Sequence, residues 1–231
     1  MPENIAFIFA RGGSKGILNK NLQVVGGFTL VARAIRCARE SKIFDRIVVS
    51  TDSSEIASEA LRHGAEVPEL RPPHLATDDS PEIESWRHAI TWFENGDGTF
   101  DFDHFVSVPP TTPLKRPAVL TSAVEALTRD CDIVISACQT SAHPSYTLVQ
   151  VDSAGLAKLL LPPQSPIHRR QDTPRALQLC SAVYATTPGH VRNAQGVLTG
   201  RVRIIEVDRR TALDVDDEFD LNVAQFLAKA H

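Results

Sequence analysis

The sequence predicts an α/β protein in which a mostly parallel sheet is covered by helices on both faces. Short apolar runs alternate with longer segments whose apolar residues recur at helical spacing. Such βαβα alternation is typical of parallel sheets, whose strands are buried on both faces. A length of 231 residues suits one large domain of this class, and we expect residues 1–231 to form a single domain.

The predicted elements follow in order along the chain. Apolar and β-branched runs predict strands at residues 5–10, 47–50, 105–108, 133–137, 179–185 and 203–207. Helical periodicity predicts helices at residues 29–41, 53–63, 81–94 and 116–128, and a last helix near 217–229. Gly64 suits the end of the second helix, because glycine adopts the left-handed conformation common there. Pro117 falls in the first turn of the fourth helix, where a missing N–H costs nothing.

The alternation is interrupted at residues 139–174. Two apolar segments, 146–151 and 156–160, flank the turn-forming sequence Asp-Ser-Ala-Gly, which predicts a hairpin. A stretch rich in proline and polar residues follows. We interpret residues 139–174 as an excursion from the main sheet.

Composition excludes several classes of partner. The chain carries 24 Lys and Arg against 28 Asp and Glu, a net charge of −4, so no broad basic surface for nucleic acid or an anionic membrane is expected. No run of 18 apolar residues exists, and the first residues lack the basic segment of a signal peptide.

The four cysteines, Cys37, Cys131, Cys138 and Cys180, are far apart and embedded in apolar patterns. They are expected to be buried free thiols, which fits the reducing cytoplasm. The eight histidines form no zinc-binding cluster.

The first predicted strand runs into a glycine-rich basic loop. Gly12 and Gly13 leave backbone N–H groups accessible, and Arg11, Lys15 and Lys20 supply three cations close together. The loop matches neither the Walker A pattern nor the dinucleotide fingerprint. Ligands of α/β sheets bind at the carboxyl ends of strands, which favours an anion site. The alternative is a glycine turn with solvated lysines.

Near the end of the chain, Asp214 and Asp216 are two residues apart. In an extended segment both carboxylates point to one face and suit a hard divalent cation such as Mg²⁺. The alternative is that the acids only favour the start of the last helix. Asp217 and Glu218 are expected to have that role alone.

Taken together, these motifs resemble the acylneuraminate cytidylyltransferases, the CMP-sialic acid synthetase family. The opening IFARGGSKGILNKNL at residues 8–22 and the acidic motif at residues 214–221 are the most specific matches. Further matches lie in the same order at residues 44–52, 71–78, 110–114, 170–174 and 182–184, so the resemblance covers essentially the whole chain.

The resemblance implies a Rossmann-like nucleotidyltransferase fold that transfers CMP from CTP to the anomeric hydroxyl of a nonulosonic acid and releases pyrophosphate. It implies catalytic roles for Arg11, Lys15, Lys20, Asp214 and Asp216, the two acids binding Mg²⁺ or Mn²⁺. The nucleotide-binding residues that it implies are Arg11, Gly12, Gly13, Ser14, Lys15, Lys20, Asn21, Arg71, Asp78 and Ser80. In the family, the excursion is a dimerisation arm, so a homodimer is expected.

The sugar side departs from the family pattern. The residues that would surround the acceptor are Pro109, Thr111, Tyr146, Arg170, Gln178 and Tyr184. Pro109 stands where relatives often have Gln, Tyr146 stands where some have Lys, and Gln178-Leu-Cys-Ser181 replaces Arg-x-Asn-Gly. The acceptor is therefore expected to be a related acid, such as a pseudaminic-, legionaminic- or Kdn-like sugar. Two alternatives stay open: a different acceptor such as a sugar 1-phosphate, or a non-catalytic nucleotide-binding protein.

Overall fold

The computed structural model describes residues 3–13, 16–163 and 165–229. In these residues the strands are β1 (Asn4–Phe9), β2 (Val24–Val25), β3 (Phe28–Thr29), β4 (Arg46–Ser50), β5 (His104–Ser107), β6 (Ile133–Gln139), β7 (Val149–Val151), β8 (Ala157–Leu159), β9 (Leu177–Thr186) and β10 (Val202–Val207). The helices are α1 (Leu30–Ser41), α2 (Ser54–Arg62), α3 (Glu82–Ile90), α4 (Pro117–Ala126), α5 (Pro188–Asn193) and α6 (Glu218–Lys229).

Six strands form the main sheet in the order β10-β6-β9-β5-β1-β4. Strand β1 pairs in parallel with β4 on one side and with β5 on the other. The next long strand, β4, therefore lies on one side of β1, and the strand after it, β5, lies on the other side. Such a reversal of strand order opens a crevice at the carboxyl ends of the strands, where α/β proteins bind ligands.

Strand β9 is the exception to the parallel arrangement, because it runs antiparallel to both β5 and β6. Between β6 and β9 the described residues contain no α-helix; they contain the β7–β8 hairpin of the excursion and a 3-10 turn at Arg170–Asp172. A chain that leaves a sheet at one end of its strands and re-enters it at that same end runs in the opposite direction. The prediction of a mostly parallel sheet is confirmed.

Helices cover both faces of the sheet, as predicted. On one face, Val31 of α1, Ile56 of α2 and Leu120 of α4 belong to the same buried core as Ile8 of β1. On the other face, Trp86 of α3 belongs to a second core, which contains the neighbouring β1 residue Phe7. The strand alternates its side chains between two cores, so both faces are apolar.

Local sequence signals start and stop these helices. The Thr29 hydroxyl accepts from the N–H of Ala32 at the start of α1, and Ser53 does the same for Ile56 of α2. Gly64 follows α2 with φ of +74°, as its place at the helix end predicted. Pro117 is the first residue of α4. Helix α3 is shorter than expected, because its last turn continues as a 3-10 turn at Thr91–Phe93.

The hairpin predicted in the excursion is present as β7 and β8, and Gly155 in its turn has φ of +80°. Helix α5 and the β2–β3 hairpin were not expected. All four cysteines are free, as predicted, and Cys180 is only partly buried. Among the described residues, no helix is both long enough and apolar enough to cross a membrane.

Candidate active site

A cavity of about 630 Å³ lies where the carboxyl end of β1 meets the loop that precedes α3. Among the residues predicted to bind the nucleotide or acceptor, it brings together Arg11, Lys20, Asn21, Arg71, Asp78, Ser80 and Thr111, with Asp216. Ser14 and Lys15, also predicted to bind the nucleotide, lie outside the described residues. The cavity therefore collects basic side chains from widely separated parts of the chain.

The loop after β1 is held against the loop after β4. The Gly12 N–H donates to Asp52 Oδ1 at 2.9 Å, and a Cβ on Gly12 would lie only 3.0 Å from the Cβ of Ser53. The Arg11 guanidinium pairs with Asp78 at 2.5 Å. Gly13 is exposed, with open space where a Cβ would be. Gly12 thus allows the backbone to approach Ser53 closely, and Gly13 leaves its own backbone exposed.

Two buried polar side chains in this cavity have unsatisfied atoms. Asn21 donates its Nδ2 to the carbonyl of Arg11 at 3.0 Å, and Arg71 donates to Ser85 Oγ at 3.1 Å. In the described part of the chain, Asn21 Oδ1 and Arg71 Nε have no hydrogen-bond partner. Burial lowers the pKa of Arg71, but the group stays charged at neutral pH. One acceptor and one donor are therefore available to a ligand.

The two ends of the chain meet at the rim of the cavity. Lys20 Nζ lies 3.1 Å from Asp216 Oδ1. A Cβ on Gly16 would overlap the backbone carbonyl oxygen of Asp216, so the two backbones touch. The Val215 N–H donates to the Thr111 carbonyl at 2.8 Å, which ties the acidic segment to the loop after β5.

Asp214 and Asp216 flank Val215, which is fully buried. This alternation directs both carboxylates away from the core, as an extended segment requires. Asp214 is half-buried: its Oδ2 accepts from Ser181 Oγ, and its Oδ1 is buried without a partner in the described residues. Asp216 is exposed. Carboxylate oxygens are the ligands Mg²⁺ prefers, so the donor set fits a divalent cation that also keeps waters and phosphate oxygens.

The described residues contain no cluster of three or more His, Cys, Asp or Glu arranged to hold a metal by themselves. A cation at Asp214 and Asp216 would therefore need ligands from water or substrate, which is the usual situation for Mg²⁺.

A second cavity of about 320 Å³ adjoins the acidic pair on the β9 side. Its walls include Gln178, Cys180, Ser181 and Tyr184, and none of the described residues that line it is cationic. The ring of Tyr184 packs edge-on against Trp86, with the ring centroids 5.5 Å apart. Burial, followed by the charges of Glu82 and Asp214, raises the pKa of Tyr184, so its hydroxyl stays protonated.

Three residues near the acids were missed from the sequence. Ser181 bonds to Asp214, and Glu82 lines the larger cavity, where the surrounding protein and then Asp214 raise the pKa of its carboxyl group. The buried Lys115 donates to the carbonyl of Pro109, and burial lowers its pKa to about 8. Glu82 follows the predicted nucleotide-binding residue Ser80 by two positions and lies in the predicted helix at residues 81–94, but nothing in the sequence singled it out.

Arg170 lies apart from these two cavities. It lines a third, of about 430 Å³, on the excursion, with His143, Arg175 and Arg209. Tyr146, three residues after His143, is half-buried, and its backbone N–H donates to the His143 carbonyl at 3.1 Å. Of the predicted acceptor residues, Gln178 and Tyr184 line the cavity beside the acids, and Thr111 lines the larger cavity.

Comparisons with known proteins identify relatives of this chain. A family model described as "Cytidylyltransferase" matches residues 5–102. The chain is 31% identical to "Post-translational flagellin modification protein B" of Campylobacter coli, over 99% of this chain and 96% of that one. It is 30% identical to "CMP-N,N'-diacetyllegionaminic acid synthase" of Campylobacter jejuni subsp. jejuni, over 98% and 95% of the two chains.

Among solved structures, the chain is similar to CMP:2-keto-3-deoxy-manno-octonic acid synthetase complexed with CTP. The TM-score is 0.74 at 17% identity, covering 99% of this chain and 100% of that one. At this identity the likeness establishes the fold, and it confirms the predicted nucleotidyltransferase architecture.

Proposed function

Because the chain belongs to the cytidylyltransferase family, we propose that it transfers CMP from CTP to the anomeric hydroxyl of a nonulosonic acid, releasing pyrophosphate. The observation that carries the proposal is the meeting of the basic loop and the acidic pair at Lys20 and Asp216, 3.1 Å apart. The full-length similarity to a CMP-N,N'-diacetyllegionaminic acid synthase supports an acceptor of the nonulosonic class.

The buried polar atoms of the larger cavity support cytosine as the base. Asn21 Oδ1 can accept from the exocyclic amino group of cytosine, and Arg71 can donate to its O2 carbonyl oxygen or to the ring nitrogen N3. Uracil presents a carbonyl where cytosine has the amino group, so Asn21 Oδ1 would face another acceptor. In the proposed complex, Arg11, Gly12, Gly13, Ser14, Lys15 and Lys20 hold the triphosphate, and Asp78 and Ser80 lie beside the nucleoside.

The acidic pair supports a metal-assisted transfer. Asp214 and Asp216 would hold Mg²⁺ or Mn²⁺, which would neutralise phosphate charge and brace the α-phosphate when bound. The acceptor hydroxyl oxygen attacks the α-phosphorus, the bond to the bridging oxygen breaks, and pyrophosphate leaves with the electron pair. Arg11 and Lys20 stabilise the negative charge on pyrophosphate as it leaves.

The acceptor is an acid, yet the part of the chain that the structure describes places no cationic side chain in the lining of the cavity beside Asp214. A carboxylate bound there needs a cation from elsewhere. The excursion at residues 139–174 offers one in Arg170, and its hairpin exposes an apolar surface made of Leu148, Val149, Val151, Leu156, Leu160 and Leu161. We propose that this excursion is the dimerisation arm and that it completes the acceptor site of a second copy.

The four free thiols support the expected cytoplasmic setting, where thiols stay reduced.

Pyrophosphate release tests the proposed reaction. Each of the four nucleoside triphosphates is supplied with N-acetylneuraminate, legionaminate, pseudaminate, Kdn or a sugar 1-phosphate, with Mg²⁺. We expect release with CTP and a nonulosonic acid only. Release only with a sugar 1-phosphate would replace the proposed acceptor, and CTP binding without release for any acceptor would favour a non-catalytic role.

A further inference from the structure

The hydroxyl of Ser181 on β9 is bonded directly to one of the acids near the end of the chain. Ser181 Oγ donates to Asp214 Oδ2, across a sequence separation of 33 residues. Ser181 falls where the pairing of β9 with β6 shifts register, between the pairs Ile135–Tyr184 and Ala137–Leu179. Irregular pairing redirects side chains relative to a regular ladder. The irregularity therefore aims this hydroxyl at the segment before α6.

The backbone on each side of Ser181 is fixed by hydroxyl groups from other elements. Thr112 Oγ1 donates to the Ser181 carbonyl at 3.1 Å, and Ser136 Oγ donates to the Cys180 carbonyl at 2.7 Å. Ser136 Oγ also accepts from the Ala182 N–H at 3.1 Å. The donor is thus held in place before any ligand binds.

The two oxygens of Asp214 have different environments. Oδ2 is occupied by Ser181, whereas Oδ1 is buried and has no partner in the described residues. No lysine or arginine within those residues forms an ion pair with Asp214, although Lys20 pairs with nearby Asp216. With one oxygen fixed, the carboxylate cannot rotate freely, and the lone pairs of Oδ1 stay available to a cation.

We propose that Ser181 is a positioning residue that fixes the Asp214 carboxylate so that Oδ1 remains directed at the divalent cation. The inference rests on the proposed metal role of Asp214. Partners that orient a metal ligand typically raise metal affinity by about 10–100-fold.

The test is Mn²⁺ binding to the protein without nucleotide, measured by the electron paramagnetic resonance signal of free Mn²⁺. We expect Ser181→Ala to weaken Mn²⁺ binding by about 10-fold or more, with an unchanged melting temperature in the absence of metal. Ser181→Thr, which keeps the hydroxyl, should restore most of the affinity. Cys180→Ala is the matched control, because Cys180 lines the same cavity without bonding to Asp214. In turnover, the Mn²⁺ requirement of Ser181→Ala should rise while KM for CTP stays constant.

Wild-type Mn²⁺ affinity in Ser181→Ala would overturn the inference. An equal loss in Cys180→Ala, or no recovery in Ser181→Thr, would also overturn it, because either result indicates a general disturbance of β9. Asp214→Asn separates the two proposals: if it binds Mn²⁺ as tightly as the wild type, the proposed metal role itself fails.

Discussion

At Gly16, substitution by alanine should push the loop after β1 away from the acidic segment that contains Asp216. Its backbone touches the carbonyl of Asp216, and φ at Gly16 is not in the left-handed region, so alanine can adopt the backbone conformation. The effect of Gly16→Ala is therefore steric. Ordinary contact between carbon and oxygen requires the loop to retreat by about 1 Å. That movement would also separate Lys20 from Asp216, which are 3.1 Å apart.

A misplacement of about 1 Å in a catalytic arrangement can cost about 10²-fold in rate. We therefore expect Gly16→Ala to lower kcat/KM for CTP by about 10²-fold, equivalent to about 2.7 kcal/mol of transition-state stabilisation. The fold should persist, since the loop lies at the rim of the cavity and not between the sheet and its helices. The assay is pyrophosphate release at saturating acceptor, with the melting temperature measured in parallel.

Gly96→Ala is the matched control, because a Cβ there meets nothing within 4 Å and φ is also outside the left-handed region. Its turnover should equal that of the wild type. If Gly16→Ala retains kcat/KM within about threefold of the wild type, then the close contact between the two chain ends does not organise the site.

Three further outcomes are expected. Asp216→Ala should abolish Mg²⁺-dependent turnover with an unchanged melting temperature, because the residue is exposed; near wild-type turnover at saturating Mg²⁺ would contradict its metal role. Thr29→Ala should lower the free energy of unfolding in urea by about 1–2 kcal/mol, since the hydroxyl caps α1 and also donates to Glu59 at 2.7 Å; a loss below about 0.3 kcal/mol would refute the cap. Burial lowers the pKa of Lys115 to about 8 from 10.5, so above pH 8 the unfolded state binds more protons. The wild type should therefore gain stability relative to Lys115→Met between pH 8 and 9.5, by up to about 1.4 kcal/mol per pH unit, and a parallel pH dependence would show that this lysine is not perturbed.

Periodicity predicted the larger elements because their burial patterns repeat several times within each element. Helix α5 has six residues, and β2 and β3 have two each. None of these three elements is long enough for a pattern of apolar residues to repeat. The direction of β9 has no local signal at all. It depends on the path of the chain through the excursion, and its residues would show the same apolar pattern in either direction.

The residues of the basic loop after β1 could be picked out from the sequence because they are close together in it. Arg11, Lys20 and Asn21 lie within one loop that follows a predicted strand. Ser181 carried no such signal, because a serine in a strand is unremarkable until its partner is known. Its bond to Asp214 depends on a register shift between β6 and β9, which is a property of the folded sheet.

The distribution of charged residues favours the excursion at residues 139–174 as the element that selects the acceptor. The larger cavity is lined by Arg11, Lys20 and Arg71, whereas the adjoining cavity is lined by Asp214 and Asp216 and, among the described residues, by no cation. A nonulosonic acid carries a carboxylate that these two acids repel, and a divalent cation between them offsets only part of that repulsion. Arg170, on the segment that leaves the sheet, can supply part of the remaining compensation. In the proposed complex the larger cavity then holds the nucleotide, and the excursion contributes to the choice of the acid. Exchange of residues 139–174 with the matching segment of a relative should then change the preferred acid and leave KM for CTP unaltered.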